Sequence, residues 1–88
     1  MHYIYVLWSS KLIKRYVGST DNVEKRLDEH NGGSNRFTKG GIPRIKIYQE
    51  ELSTKTEALK REKFLKSGQG RAWLDKRLPI YRRGAGVV

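Results

Sequence analysis

The chain has no cysteine, one methionine and two prolines in 88 residues. The first absence excludes disulfides, thiolate zinc sites and cysteine nucleophiles together. A domain this small without disulfides suits a reducing compartment, so a cytoplasmic location is expected. No apolar run approaches the roughly 20 residues of a membrane span. The opening MHYIYVLWSSK has neither a basic leader nor the apolar length of a signal peptide, and it is expected to form a first strand. Acidic residues are scarce as well. Nine Asp and Glu face nineteen Lys and Arg, and the resulting net charge of +10 points to a polyanionic partner, most often nucleic acid. A basic but inert surface is the plain alternative. No helix sets a basic face against a large aromatic one, so no membrane partner is expected.

The length allows one small domain, expected over residues 1–80, with YRRGAGVV at 81–88 as a disordered tail. Such a chain buries about 60–65% of its unfolded surface, so the core is thin. YIYVLWS is β-branched and aromatic and predicts a strand over 2–9. KLIKRYVGS supplies a second over 13–18, joined to the first as a hairpin. Alternation sends Tyr3, Tyr5 and Leu7 to one face and Ile4, Val6 and Trp8 to the other. Both faces are apolar, which predicts a central strand covered on both sides.

TDNVEKRLDEHNGG predicts a helix capped by Asp21, with Glu24 completing a capping box, Val23 and Leu27 as its apolar stripe, and Gly32 and Gly33 ending it. A Gly-rich basic loop follows. RIKIYQEEL predicts a third strand in which Ile45, Ile47 and Gln49 alternate with Lys46, Tyr48 and Glu50. The second helix has Thr54 as N-cap and Glu57 at the capping-box position, and ends near Ser67 and Gly68. GRAWLDKRL predicts a third, stopped before Pro79. The order β-β-α-β-α-α defines an α+β domain on a three-stranded antiparallel sheet flanked by helices.

One residue stands out. On the second helix Ala58, Leu59 and Leu65 fall on one stripe, and Glu62 sits in the middle of it. A carboxylate at a core-facing position needs a cation or hydrogen-bond donors. An ion pair with Arg26, Lys46 or another base would satisfy it. So would a divalent metal, because magnesium often takes only one or two carboxylates and keeps water and phosphate oxygens as its other ligands. Arg26 and His30 are four apart and share a helical face, the arrangement of a phosphate clamp or of ordinary surface contacts. Tyr5 and Tyr16 lie on the two strands of the hairpin. A free phenol near pKa 10 is a poor base at neutral pH unless nearby cations such as Arg26 lower it. Gly18 stands where the second strand turns toward the helix and permits a close approach by a neighbour. His2 and His30 have no zinc-like spacing, and GQGRAW lacks the ending of a P-loop.

In this order the pieces resemble the GIY-YIG nuclease superfamily, in its small single-domain, UPF0213-like form. YIY at 3–5 stands for the first motif and YVG at 16–18 for the second. Arg26 and His30 match the Arg-x-x-x-His helix, and TEALKREKFLK matches the helix that bears the single metal-binding Glu, which falls on Glu62. The resemblance covers about residues 2–67. It implies a metal-dependent endonuclease that hydrolyses DNA phosphodiester bonds with Mg2+ or Mn2+. Glu62 would be the metal ligand, Tyr5 the leading candidate to activate water, and Tyr16 would position phosphate or water. Arg26 would stabilise the phosphorane, and His30 would orient or relay protons. The division of labour among Tyr5, Tyr16 and His30 stays open. Tyr3 replaces the Gly of the first motif. The polar Asn found late in several members has no clear counterpart; Gln69 matches it by type alone.

Nothing in so short a chain is left over to choose a sequence. Arg36, Lys39 and Arg44 are expected to touch phosphates, which positions DNA without reading it. The expectation is a monomer with structure selectivity, placed in DNA repair or recombination. Two alternatives stand beside it: a non-catalytic module for DNA or RNA, and an adaptor whose protein partner supplies specificity and meets Trp73 and the tail.

Overall fold

The computed structural model describes residues 1–32 and 44–81. Strands β1 (His2–Ser9) and β2 (Lys14–Thr20) are followed by helix α1 (Val23–Asn31), strand β3 (Arg44–Leu52), helices α2 (Lys55–Lys66) and α3 (Gly68–Arg77), and a 3-10 turn at Pro79–Tyr81. The fold is α+β, with an antiparallel sheet in the order β2-β1-β3. β1 is central, as its two apolar faces require. Ile4 and Val6 enter a core with Val17, Ala58, Leu65 and Leu74 under α2 and α3. Tyr5 and Leu7 enter another with Val23 under α1, flanked by Tyr3, Tyr16 and Leu27.

The hairpin turn is closed by Ser9, fully buried, whose hydroxyl accepts from the Leu12 N–H at 3.1 Å. Ile13 takes the left-handed region at φ 52°, so β2 starts at Lys14 rather than at 13, and it runs on to Thr20 rather than stopping at Gly18. The α1 cap also differs from expectation. Asn22, not Asp21, caps the helix, its side chain accepting from the Lys25 N–H at 3.1 Å. The reason lies one turn back: Asn22 N–H is tied to Thr20 Oγ1 at 3.1 Å, which sets the chain one residue later than a capping box on Glu24 would. Gly32 ends the helix, donating to the Asp28 carbonyl at 2.8 Å.

In β3 strict alternation fails. The pairing with β1 slips between Val6 and Leu7, so Tyr48 faces Val6 while Lys46 faces Leu7, and Ile47 is the extra residue. Ile47 and Tyr48 therefore both pack on the α2–α3 core, and Ile45 is left about half exposed.

α2 is capped by Thr54 as expected, its hydroxyl accepting from the Glu57 N–H at 3.1 Å. Its core stripe is narrower than expected. Ala58 and Leu65 are buried, but Leu59 is exposed, so Glu62 sits at the stripe's edge rather than its middle. Ser67 ends α2 and caps α3, accepting from the Gly70 N–H, so α3 begins at Gly68 instead of Gly70. The two helices touch there. A Cβ on Gly70 would stand 2.7 Å from the Phe64 carbonyl carbon, so only glycine allows this joint. Arg15 on β2 pairs with Asp75 at 2.8 Å and ties α3 to the sheet edge. Trp73 is an anchor: it packs on the core, meets Tyr48 edge-on at 5.8 Å and lies beneath the Arg61 and Arg77 guanidinium groups. Of the expected tail, Tyr81 packs against Trp8 at 5.6 Å, and the remainder lies outside the described residues.

Candidate active site

The register pairs Tyr5 with Gly18 and Leu7 with Tyr16, which sets both phenols on the α1 face of the sheet. The Tyr5 ring lies directly over Gly18. A Cβ there would stand 2.6 Å from Tyr5 Cζ, so the glycine is required by space. The helical spacing of Arg26 and His30 then turns both toward the phenols. Tyr5 Oη lies 3.4 Å from His30 Nε2. The Tyr16 and His30 rings meet edge-on at 4.7 Å, and Tyr5 lies 6.2 Å from each. Tyr5 and His30 are each only 1% exposed, so this is an interior polar cluster.

Its electrostatics follow from burial. Burial pushes the Tyr5 phenol up, the Arg26 guanidinium beside it pulls the other way, and the nearby Tyr16 and Glu62 add to the rise. Arg26 lowers this phenol as expected, but desolvation outweighs the cation and the net direction is upward. His30 is pushed down by burial first, then by Arg26 and Arg44, against a smaller pull from Glu29. It is therefore neutral at pH 7. Its Nδ1 is buried with no hydrogen-bond partner. Arg26 is partly exposed and also donates to Glu29 at 3.1 Å.

Arg44 belongs to this cluster. It is 5% exposed, and its guanidinium lies 6.0 Å over the Tyr16 ring. Asn31, the last residue of α1, pins it by accepting from its N–H at 2.6 Å and donating to its carbonyl at 3.0 Å. Arg36 and Lys39 lie outside the described residues. Gln69 is exposed at the start of α3 and has no part in the cluster.

Glu62 reaches the site from the other face of the edge strand. Ser19, next to Gly18, points toward α2 and donates to Glu62 Oε1 at 2.7 Å. Lys66, one turn along α2, holds Oε2 at 2.7 Å. Burial raises the carboxyl, but the hydrogen bonds from Lys66 and Ser19 and the Lys66 charge outweigh it and hold the group below its ordinary value. The cation meeting Glu62 is thus Lys66; Arg26 pairs with Glu29, and Lys46 bonds to Gln49. Among the described residues no three of His, Asp and Glu gather as metal ligands. The donor set still fits one kind of ion: a single ionised carboxylate suits magnesium, which draws its other ligands from water and phosphate.

Sequence reasoning missed Ser19, Asn31 and the inward place of Arg44. Two signals were available. Strand alternation after Gly18 turns Ser19 toward α2, and Lys66 stands four residues from Glu62. Asn31 carried no comparable signal.

Two tyrosines, an Arg-x-x-x-His helix and a lone carboxylate thus gather around a glycine-bearing edge strand. The family model of the GIY-YIG catalytic domain matches residues 1–76, and the chain belongs to the GIY-YIG family. Within it the chain is similar to UPF0213 proteins. It is 40% identical over 67 residues to one from Staphylococcus haemolyticus, covering 75% of this chain and 80% of the relative. A Bacillus licheniformis relative is 42% identical over 74% of this chain and 67% of its own length. One from Natronomonas pharaonis is 39% identical over 75% and 78%. No solved structure matches the chain. No helix among the described residues is long and apolar enough to cross a membrane.

Proposed function

We propose that this chain is a divalent-metal-dependent endonuclease that hydrolyses DNA phosphodiester bonds, selecting its substrate by structure rather than sequence. The observation that carries the reading is the convergence of Tyr5, Tyr16, Arg26 and His30 on one side of Gly18, with an ionised Glu62 on the other. Family membership supports nuclease chemistry, and the charge of +10 supports a nucleic-acid substrate. Glu62 would hold Mg2+ or Mn2+, which when bound supplies charge neutralisation at the scissile phosphate and leaving oxygen.

The chain's own residues do the rest. Tyr5 stays protonated at neutral pH, so it acts as a relay: its oxygen takes a proton from the attacking water as its own proton passes to His30 Nε2. Neutral His30 can accept that proton in the tautomer that carries hydrogen on Nδ1. The 3.4 Å separation is long for a hydrogen bond, as is common before a substrate tightens the site. Arg26 offers a guanidinium fork to the developing charge on phosphate. Tyr16 holds the imidazole plane in place. The setting is cytoplasmic DNA repair or recombination, where flapped and branched strands arise, and the working unit is a monomer.

One observation favours the binding module instead: Glu62 already has a cationic partner in Lys66. A magnesium titration followed by NMR separates the two. Saturable shifts at Glu62, Ser19 and Lys66, extending to Tyr5 and absent in Glu62→Gln, are expected. Signals that stay still through millimolar magnesium would leave a nucleic-acid-binding module with an internal ion pair.

A further inference from the structure

Glu62 lies in an open groove of about 510 Å³ that Leu59, Lys63, Lys66 and Ser67 also line. Its two carboxylate oxygens are held differently. Oε1 accepts from the hydroxyl of Ser19, a partly buried residue of β2, at 2.7 Å. Oε2 accepts from Lys66 Nζ, also at 2.7 Å. The Glu62 side chain is 20% exposed and the Lys66 side chain 53%. Ser19 thus ties the carboxylate to the sheet, while Lys66 covers its solvent side.

The two ties differ in strength. Ion pairs between exposed side chains four apart on a helix are weak and readily exchanged. An ammonium feels twice the repulsion from a divalent ion on its carboxylate that it would feel from a single charge. Lys66 also has another place to go. It lines a second hollow, between β2, α2 and α3, where the exposed Lys14 and Arg71 stand. Among the described residues lining that hollow there is no carboxylate. Arg15 in its wall is already engaged by Asp75 at 2.8 Å. An ammonium released from Glu62 meets only like charges there until an anion arrives.

We propose that Lys66 holds the place of a divalent cation on Glu62, leaves when the ion binds, and then takes a phosphate of the bound strand beside Lys14 and Arg71. This inference rests on the nuclease reading. It gives that reading an order of events and reconciles the ion pair at Glu62 with a metal role for the same carboxylate. Glu62 and Lys66 are neutral together, so the empty groove holds a strand less firmly than the loaded one.

The test measures how fast each lysine reacts with an amine-acylating reagent, read by mass spectrometry. Lys63, on the same groove, is the internal standard. Without DNA, millimolar magnesium is expected to speed Lys66 about two- to fivefold, the weight of an exposed ion pair. Glu62→Gln should show the faster rate already in EDTA and ignore magnesium. A single strand added in EDTA, where nothing is cut, should protect Lys66 more strongly in Glu62→Gln than in the unaltered protein. One Lys66 rate across EDTA, magnesium and Glu62→Gln overturns the exchange. Equal protection by DNA in both proteins also overturns it, because Lys66 is then a fixed contact. Either result beside intact cutting in magnesium leaves the nuclease standing. A Lys66 that answers magnesium as expected, in a protein that cuts no DNA, removes the nuclease and keeps the exchange.

Discussion

A methyl group at residue 18 has nowhere to go, because the Tyr5 ring already fills that space. Tyr5 is fully buried between β2 and α1, so it cannot swing away without breaking the second core. Gly18→Ala should therefore destabilise the fold by about 1–3 kcal/mol, the usual cost of overpacking, and reduce cutting beyond what the unfolded fraction explains. Urea unfolding and a cleavage rate on the same sample check both. A stable variant with full activity would contradict this reading of Gly18. His30 makes a second prediction. Its pKa in the fold lies below the ordinary 6.5, so the unfolded chain takes up a proton that the folded chain refuses. The stability this protects is complete above pH 6.5 and is lost as pH falls from there toward the folded value. Glu62 and Glu50, whose carboxyls are held below 4.5, contribute in a separate, more acidic window. Urea midpoints at pH 7.5 and 5.5 should differ, and His30→Gln should shrink the difference; an equal drop in both proteins would contradict it. At this scale the site was partly legible. The shared helical face of Arg26 and His30 follows from their spacing, and the oddity of Glu62 from a carboxylate on an apolar stripe, while the roles expected of all three came with the family resemblance. The closeness of Tyr5 to His30 needed both the strand register and the docking of α1, which no local pattern encodes.

At the scale of elements, the ends and slips decide where side chains point. Asp21 and Asn22 are equally good cap types, and the sequence reading favoured Asp21 because Glu24 stands three residues on. The tie from Thr20 to the Asn22 backbone chooses the other. Asn22→Ala should cost about 1 kcal/mol, the usual value of an N-cap, and Asp21→Ala much less. Denaturant unfolding of the two variants measures the difference, and the reverse order would show the cap misplaced. The β3 bulge was not legible for a similar reason. An extra residue is visible only against its partner strand, and nothing in RIKIYQEEL alone shows that Ile47 and Tyr48 share a side. Leu59 looked like core because a helical wheel shows which residues share a face, not how far the sheet extends beneath it. The central place of β1 and the cap of α2 were legible, since alternation on β1 and the Thr54 and Glu57 pair are strong local signals.

For the whole molecule, the sheet separates two cores and the candidate site spans its edge. Tyr5, Tyr16 and His30 belong to the α1 side, and Glu62 to the α2 side, with β2 between them at its barest residue. The charge of +10 favours a polyanionic partner, but it cannot choose one DNA sequence over another. The central claim is that Glu62 serves a metal rather than only Lys66. Glu62→Gln keeps the side chain's shape and can still accept from Ser19, while removing the charge a metal needs. The most direct measurement incubates both proteins with labelled single-stranded, duplex, flapped and branched DNA in magnesium or manganese, and measures binding in parallel. The account predicts cutting of flapped or branched DNA by the unaltered protein, a loss of at least about a hundredfold in Glu62→Gln, and nearly equal DNA binding by both. Equal cutting by the two proteins, or none by either beside salt-sensitive binding by both, would contradict it.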